Sequence, residues 1–386
     1  MSRPSVSISG EILVSQPFSF KSETDICPVS LSIIKSHPSN TRTVNAANRF
    51  EADCSLAADV LTHDETITNI WGATMNQHVT LPAADEAISL TVATPGLGGI
   101  LPLQHRERPA GTRLFDLGQL DVRWEAAKGA LWTFMTPVDR PNFNCAMLRD
   151  FQRWQAEICR EFADPAEGLR YLVLGSRFPG VFNLGGDLQL FANFITTGDR
   201  DGLIRYGRDC VSILHNNLRR LELPIVTIAL VQGDALGGGF EAALSFNIIV
   251  AERGVRFGLP EIVFGLFPGM GAHSLLSRKI GLARAEEMML SSRLYTAEEM
   301  YELGIVHVLA DPGCGEEAVR SYIADNRRRH VGHRGIYQAS SLSNPVTLEE
   351  LNAIVEVWAD SALCLSESDL KLMRRLGNAQ TRLAAA

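Results

Sequence analysis

The chain has 386 residues, 46% of them hydrophobic and 21% charged, with a formal net charge of −8. That length holds one large domain or two ordinary ones around a sizeable core. The acid excess argues against general nucleic-acid affinity, which rests on neutralising phosphates with Lys and Arg.

Seven cysteines are scattered and form no CxxC pair, which fits neither a disulfide framework nor a zinc site and points to a reducing, cytoplasmic setting. No apolar run approaches the roughly 20 residues that a membrane span needs. The start, MSRPSVSISGEILVSQPF, lacks a basic residue cluster followed by a long apolar block, so no secretory signal is expected.

Residues 1–113 read as an extension of unknown role, partly disordered or a small appendage, rich in Ser, Thr and Asn with weak periodicity. GLGG at 96–99 lacks the full glycine pattern of a phosphate loop. From Leu114 the texture changes. Alternation predicts short strands near 119–124 and 129–135, followed by a helix over 145–162 and the strand LRYLVLGS. A glycine-bearing turn, VFNLGGDLQLF, leads to a helix around 203–219 and the apolar strand PIVTIALVQG. After the glycines of VQGDALGGGFE, a short helix FEAALSF and a strand NIIVAE are expected. ARAEEMMLSS, TAEEMYELG and the tail from 348 to 380 read as helices. The succession predicts an α/β fold with buried strands: a core over 114–316 and a helical C-terminal region over 317–386.

Three consecutive glycines before an acid are not explained by local stability, since each costs about 1 kcal/mol in a helix relative to alanine. A helix N-terminus exposes unpaired N–H groups, and glycine lets a ligand oxygen approach them. Two such amides from different turns would form an oxyanion hole, and VFNLGGDL is built like VQGDALGGGFE. Close helix–strand packing also selects small residues, so the glycines alone leave both readings open.

Glu241 follows the glycines, and Glu261 comes twenty residues later in RFGLPEIVFGLFPGMGA. A short helix and a returning strand fit between them, which would let both carboxyls face one cavity. Glu261, beside Leu259, Pro260, Ile262, Val263 and Phe264, should have a raised pKa through desolvation. Carboxyls in unequal environments can divide acid and base roles.

At these residues the chain resembles the crotonase (enoyl-CoA hydratase/isomerase) superfamily, from about Leu114 to the C-terminus. VFNLGGDL, ALVQGDALGGGFEAALS, GLPEIVFGLFPGMGA and VEVWADSALCL are similar to the branch that synthesises diffusible signal factors, cis-2-unsaturated fatty acids used in bacterial signalling. The resemblance implies a spiral of ββα units with a helical C-terminal region that packs subunits into trimers or dimers of trimers. It places oxyanion donors at Leu184, next to Gly185, and at Gly238. Glu241 and Glu261 become the catalytic pair, with Glu261 expected to handle the α-proton. Trp358 and Leu376 would line the acyl pocket, with Phe264 and Phe267 setting its depth.

The implied reaction is dehydration of a 3-hydroxyacyl thioester on acyl carrier protein, then thioester hydrolysis, with no metal and no cofactor. Ordinary enoyl-CoA hydratase chemistry on CoA thioesters is the alternative. A second alternative is a crotonase-fold protein that mainly binds a signalling partner, such as a sensor kinase's receiver domain. RRRHVGHRG, with Arg327, Arg328, Arg329, His330, His333 and Arg334, reads as a solvated basic stretch; docking of an acidic carrier protein there is the other reading. GxSxG, HExxH and GxxxxGK[ST] signatures do not occur.

Overall fold

The computed structural model describes residues 114–384; the extension and its GLGG motif lie outside the described residues. A hairpin opens the fold, β1 (Leu120–Glu125) antiparallel to β2 (Ala130–Met135), with Leu120 opposite Met135. Helix α1 (Cys145–Glu161) follows, its first amides accepted by the Asn144 side chain and its apolar stripe carried by Met147, Phe151, Trp154 and Ile158. The chain then enters a repeated pattern. β3 (Tyr171–Ser176), β5 (Val226–Val231) and β7 (Ile248–Glu252) run parallel in one sheet beside β2, with β10 (Val308–Ala310) at the far edge.

Each of those strands is followed by a short one that joins a second sheet: β4 (Val181–Asn183), β6 (Asp234–Leu236) and β8 (Arg256–Gly258), closed by β9 (Tyr295–Thr296). Helices complete the turns: α2 (Leu188–Thr197) and α3 (Arg200–Leu218), then α4 (Gly238–Leu244), then α5 (Ala272–Ile280) and α6 (Leu282–Ser291). This is the expected mixed α/β spiral of ββα units. The long strands are buried on both faces. Period-two alternation sends Leu172, Leu174, Ala229 and Val231 into the larger core, and Tyr171, Val173, Ile228 and Leu230 into a smaller one.

The C-terminal region is helical: α7 (Ala297–Glu302) precedes β10, and α8 (Gly315–Asn326), α9 (His330–Ser343), α10 (Leu348–Leu363) and α11 (Glu367–Ala384) follow it. One feature of this region differs from the sequence expectation. The basic stretch is only partly solvated: Arg327–Arg329 form an exposed 3-10 turn, but His330 is buried, with Nε2 3.0 Å from Arg170 O and its ring edge-on to Tyr171.

Helix α10 is tied to the spiral both by close packing and by ion pairs. Gly207 of α3 leaves room for Val355, whose Cγ1 would lie 2.6 Å from an added Cβ. Arg278 of α5 makes paired 2.8 Å bonds to both Glu350 oxygens and a third to Pro345 O. Arg278→Met should lower the unfolding free energy by about 1–3 kcal/mol, the value of charge-assisted hydrogen bonds. Urea unfolding followed by tryptophan fluorescence would measure it.

Candidate active site

The two glycine turns meet because β4 and β6 pair in parallel, Val181 with Asp234 and Asn183 with Ala235. Gly185 lies so close that a Cβ on it would be 2.6 Å from Gly238 N. Gly237 has φ 52° and ψ −129°, a conformation that only glycine adopts readily, and its Cβ position is 2.5 Å from Glu261 Oε1. A Cβ on Gly239 would fall 2.1 Å from Asn183 O. Close packing, one of the two readings offered for the glycines, therefore applies at Gly239.

One of the two amides expected to be donors, that of Leu184, is already engaged, whereas among the described residues that of Gly238 is not. The Leu184 N–H donates to Pro141 O at 2.7 Å, and the Gly185 N–H donates to Asn183 Oδ1 at 2.7 Å. Neither is free for a ligand. Gly186 and Gly238 have no acceptor for their N–H groups among the described residues, and both line one cavity of about 670 Å³. The turn that carries Gly186 is braced by Asp187. This residue caps α2 by accepting from Gln189 N and Leu190 N, and it pairs with Arg140 at 3.1 and 3.0 Å.

Glu241 and Glu261 line the same cavity. Glu241 projects from the first turn of α4 and is 1% exposed, with Oε1 accepting from Met270 N and Ala272 N, both at 2.8 Å. Burial pushes its carboxyl well above the ordinary range, and the two N–H bonds oppose that shift. Glu261 sits on a 3-10 turn, Pro260–Phe264, half-buried as a residue. Its Oε2 is nevertheless sheltered and has no hydrogen-bond partner among the described residues. Burial raises this carboxyl first, and the neighbouring Glu241 charge raises it further. The apolar sequence neighbours are not the whole cause, because Ile262 and Val263 are exposed, at 38% and 50%. Shelter comes from the cavity wall instead.

That wall is apolar inside and polar at its opening. Phe264, Trp358 and Leu376 line it as expected; Phe267 does not, and packs half-buried against the core while Leu266 faces the cavity. Trp358 stands edge-on to Phe191 at 5.1 Å and lies over Gly269, whose Cβ position is 2.5 Å from the indole. Sequence reasoning missed Gly186, Phe191, Tyr206 and Gln380, which also face the cavity. For Gly186 a signal existed in the adjacent helix-capping Asp187; for Tyr206 and Gln380 none did, since only the tertiary fold brings them in. Exposed Pro179, Gly180, Arg256 and Leu294, with half-buried Ser292, form the rim. Arg256 bonds there to Asp234. Gly180 follows the end of β3, whereas the Arg327–Arg329 turn adjoins His330 at its start. The basic turn thus lies at the opposite end of that strand from the opening, a poor position for a carrier that feeds this cavity.

Residues 152–324 match the family model described as enoyl-CoA hydratase/isomerase. The peroxisomal fatty acid beta-oxidation multifunctional protein AIM1 of Arabidopsis thaliana is 37% identical over 134 residues, 35% of this chain and 18% of that protein. Mitochondrial methylglutaconyl-CoA hydratase of Rattus norvegicus is 33% identical over 153 residues, 39% of this chain and 46% of that protein. The chain therefore spans less than half the length of either of these curated relatives. Among solved structures, Pseudomonas aeruginosa DspI shares the fold with a TM-score of 0.51 at 24% identity, over 61% of this chain and 92% of its own. Enoyl-CoA hydratase from Bacillus halodurans does so with a TM-score of 0.53 at 21% identity, over 67% of this chain and 100% of its own. Residues 152–324 are thus similar to the enoyl-CoA hydratase/isomerase family, and the described region shares the fold of these solved structures.

Proposed function

We propose that the cavity takes an acyl thioester with its carbonyl oxygen between the Gly186 and Gly238 N–H groups, and interconverts 3-hydroxyacyl and 2-enoyl forms by moving water. One observation carries this reading: two unspent amides from separate turns and two buried carboxyls converge on a single cavity. The amides stabilise charge as it develops on the carbonyl oxygen and so acidify the α-carbon. Glu261, whose Oε1 lies against Gly237, is the carboxyl beside that carbonyl and handles the α-proton. Glu241 serves the 3-hydroxyl.

The pair works with one proton between them. Two N–H bonds favour charge on Glu241, and that charge favours a proton on Glu261. This state is ready for hydration: Glu241 takes a proton from water while Glu261 gives one to the α-carbon. Dehydration starts from the converse state, with Glu261 charged and Glu241 protonated. A mostly apolar interior closed by Trp358 and Leu376 suits a fatty acyl chain, and the polar rim suits the arm of its carrier.

The finer reading is synthesis of a cis-2-unsaturated fatty acid of the diffusible-signal-factor type from a 3-hydroxyacyl carrier protein. After dehydration, water attacks the thioester carbonyl carbon as a glutamate takes its proton. The tetrahedral oxyanion rests in the same amide pair, the C–S bond breaks, and the thiol leaves with a proton. Incubation with 3-hydroxydodecanoyl carrier protein, with products resolved by chromatography and mass spectrometry, should yield free cis-2-enoic acid. A trans-2-enoyl thioester without hydrolysis would instead establish the ordinary hydratase reading, and no turnover of carrier or CoA thioesters would overturn both.

Glu241→Gln and Glu261→Gln should each lower kcat by about 10²- to 10⁴-fold, as expected for general acid–base groups. The wild-type kcat/KM should be bell-shaped in pH, with both limbs well above the ordinary carboxylate range. The rate falls on the acid side as the pair gains its second proton and on the alkaline side as it loses its last. Stability supplies a separate measurement. A carboxyl with a raised folded pKa keeps its proton over a pH interval in which the unfolded chain has lost it, so stability falls as pH rises across that interval. Calorimetry should therefore show the Tm advantage of Glu261→Gln over wild type growing as pH rises from the ordinary carboxylate range to about 8.

A further inference from the structure

The oxyanion turn is held by a residue about 200 positions away. Four backbone groups determine how the Gly186 N–H points: the Leu184 N–H and C=O, the Gly185 N–H, and the Gly185 C=O. Three are fixed from nearby in the spiral, by Pro141 O at 2.7 Å, Asn183 Oδ1 at 2.7 Å and Phe143 N at 2.8 Å. The fourth, Leu184 O, faces Gln380 Nε2 at 3.5 Å, the long end of hydrogen-bond range. Gln380 rides on α11 and is 8% exposed. Its Oε1 accepts from Asn142 Nδ2 at 3.1 Å, which orients the amide so that Nε2 is turned to Leu184. Leu184 O is also the oxygen 3.9 Å from the Cβ position of Gly237, so Gln380 acts on the peptide wedged between the two turns.

We propose that Gln380 is a positioning residue for the Gly186 donor, coupling the seating of the C-terminal helix to completion of the oxyanion hole. The proposal rests on the oxyanion reading of the site. Helix α11 also contributes Leu376 and Ala379 to the cavity, so one element closes the acyl chamber and sets the donor peptide. Asn378 on the same helix accepts from Gln189 Nε2 of α2 at 3.0 Å and, among the described residues, bonds to none of residues 184–186, which makes it a control for tail docking alone.

The test compares Gln380→Glu, Gln380→Leu and Asn378→Ala in the full chain. Gln380→Glu keeps the acceptor for Asn142 and the side-chain size but loses the donor to Leu184 O. Two readouts are taken: kcat and KM with 3-hydroxyacyl carrier protein or 2-enoyl-CoA, and amide hydrogen exchange in a peptide spanning 183–190. Both Gln380 variants should lower kcat by about ten-fold or more with KM within about three-fold, because the lost interaction acts on the transition state. Exchange in 183–190 should quicken in both, and Asn378→Ala should leave kcat and that exchange at wild-type values. Unchanged kcat, a change in KM alone, or unchanged exchange overturns the proposal. If the wild-type protein turns over neither thioester, the oxyanion reading fails, and quickened exchange then decides for Gln380 and unchanged exchange against it.

Discussion

The contact on which the site depends is between two main chains. Gly185 and Gly238 approach within a distance that no side chain could share, and that approach brings the Gly186 and Gly238 N–H groups, the proposed donors, to one cavity. It is not a local property of either turn. It follows from the parallel pairing of β4 with β6, which follows in turn from the spiral's habit of sending alternate strands to two sheets. The large sheet provides the rigidity, with β3, β5 and β7 buried on both faces. Loops hung from a sheet so packed have little freedom to drift, and an oxyanion hole works only if its donors need no rearrangement when charge appears.

The carboxyls show the opposite economy. Burying two of them side by side opposes folding, because desolvation and mutual repulsion both disfavour their charged forms. Glu241 receives compensation from two amides around the start of α5, and Glu261 from its own backbone. Glu261 Oε2 has no hydrogen-bond partner among the described residues. Such an asymmetry makes one proton shared between unequal sites the favoured state near neutrality, and a reaction that removes one proton and donates another needs that state. The strain is local, and the surrounding core of Phe240, Phe257 and Leu259 is dense enough to hold it.

The parts of the candidate site whose signals are local were legible in the sequence. The glycines of VQGDALGGGFE, the acid that follows them and the acid after the returning strand are each written in a short window. Strands appeared as apolar runs, and α1 as an apolar stripe. What stayed hidden depends on which way a peptide plane faces. LGGD gives no hint that the first two amides are consumed by Pro141 and Asn183, leaving the Gly186 N–H without an acceptor among the described residues. Phe267 misled for a related reason: in GLFPG, Leu266 turns inward and Phe267 outward, and a 3-10 turn ahead of them sets that phase. His330 looked solvated among arginines, yet the start of α9 buries it against Tyr171.

The tail separates the chemistry from the choice of substrate. All the charged and donor groups proposed for the reaction lie between Gly186 and Glu261, inside the spiral. Much of the surface that an acyl chain would meet comes from α10 and α11, through Trp358, Leu376 and Ala379. Substitutions at those helix positions reshape the chamber without disturbing the sheet pairings that fix the amides. The separation is incomplete in one respect. Gln380 and Trp358 reach back to Leu184 O and to the backbone at Gly269, one residue before the Met270 amide that holds Glu241. The elements that shape the chamber therefore also touch the supports of both catalytic parts, so chamber shape and catalytic geometry share a mechanical link despite their distance along the chain.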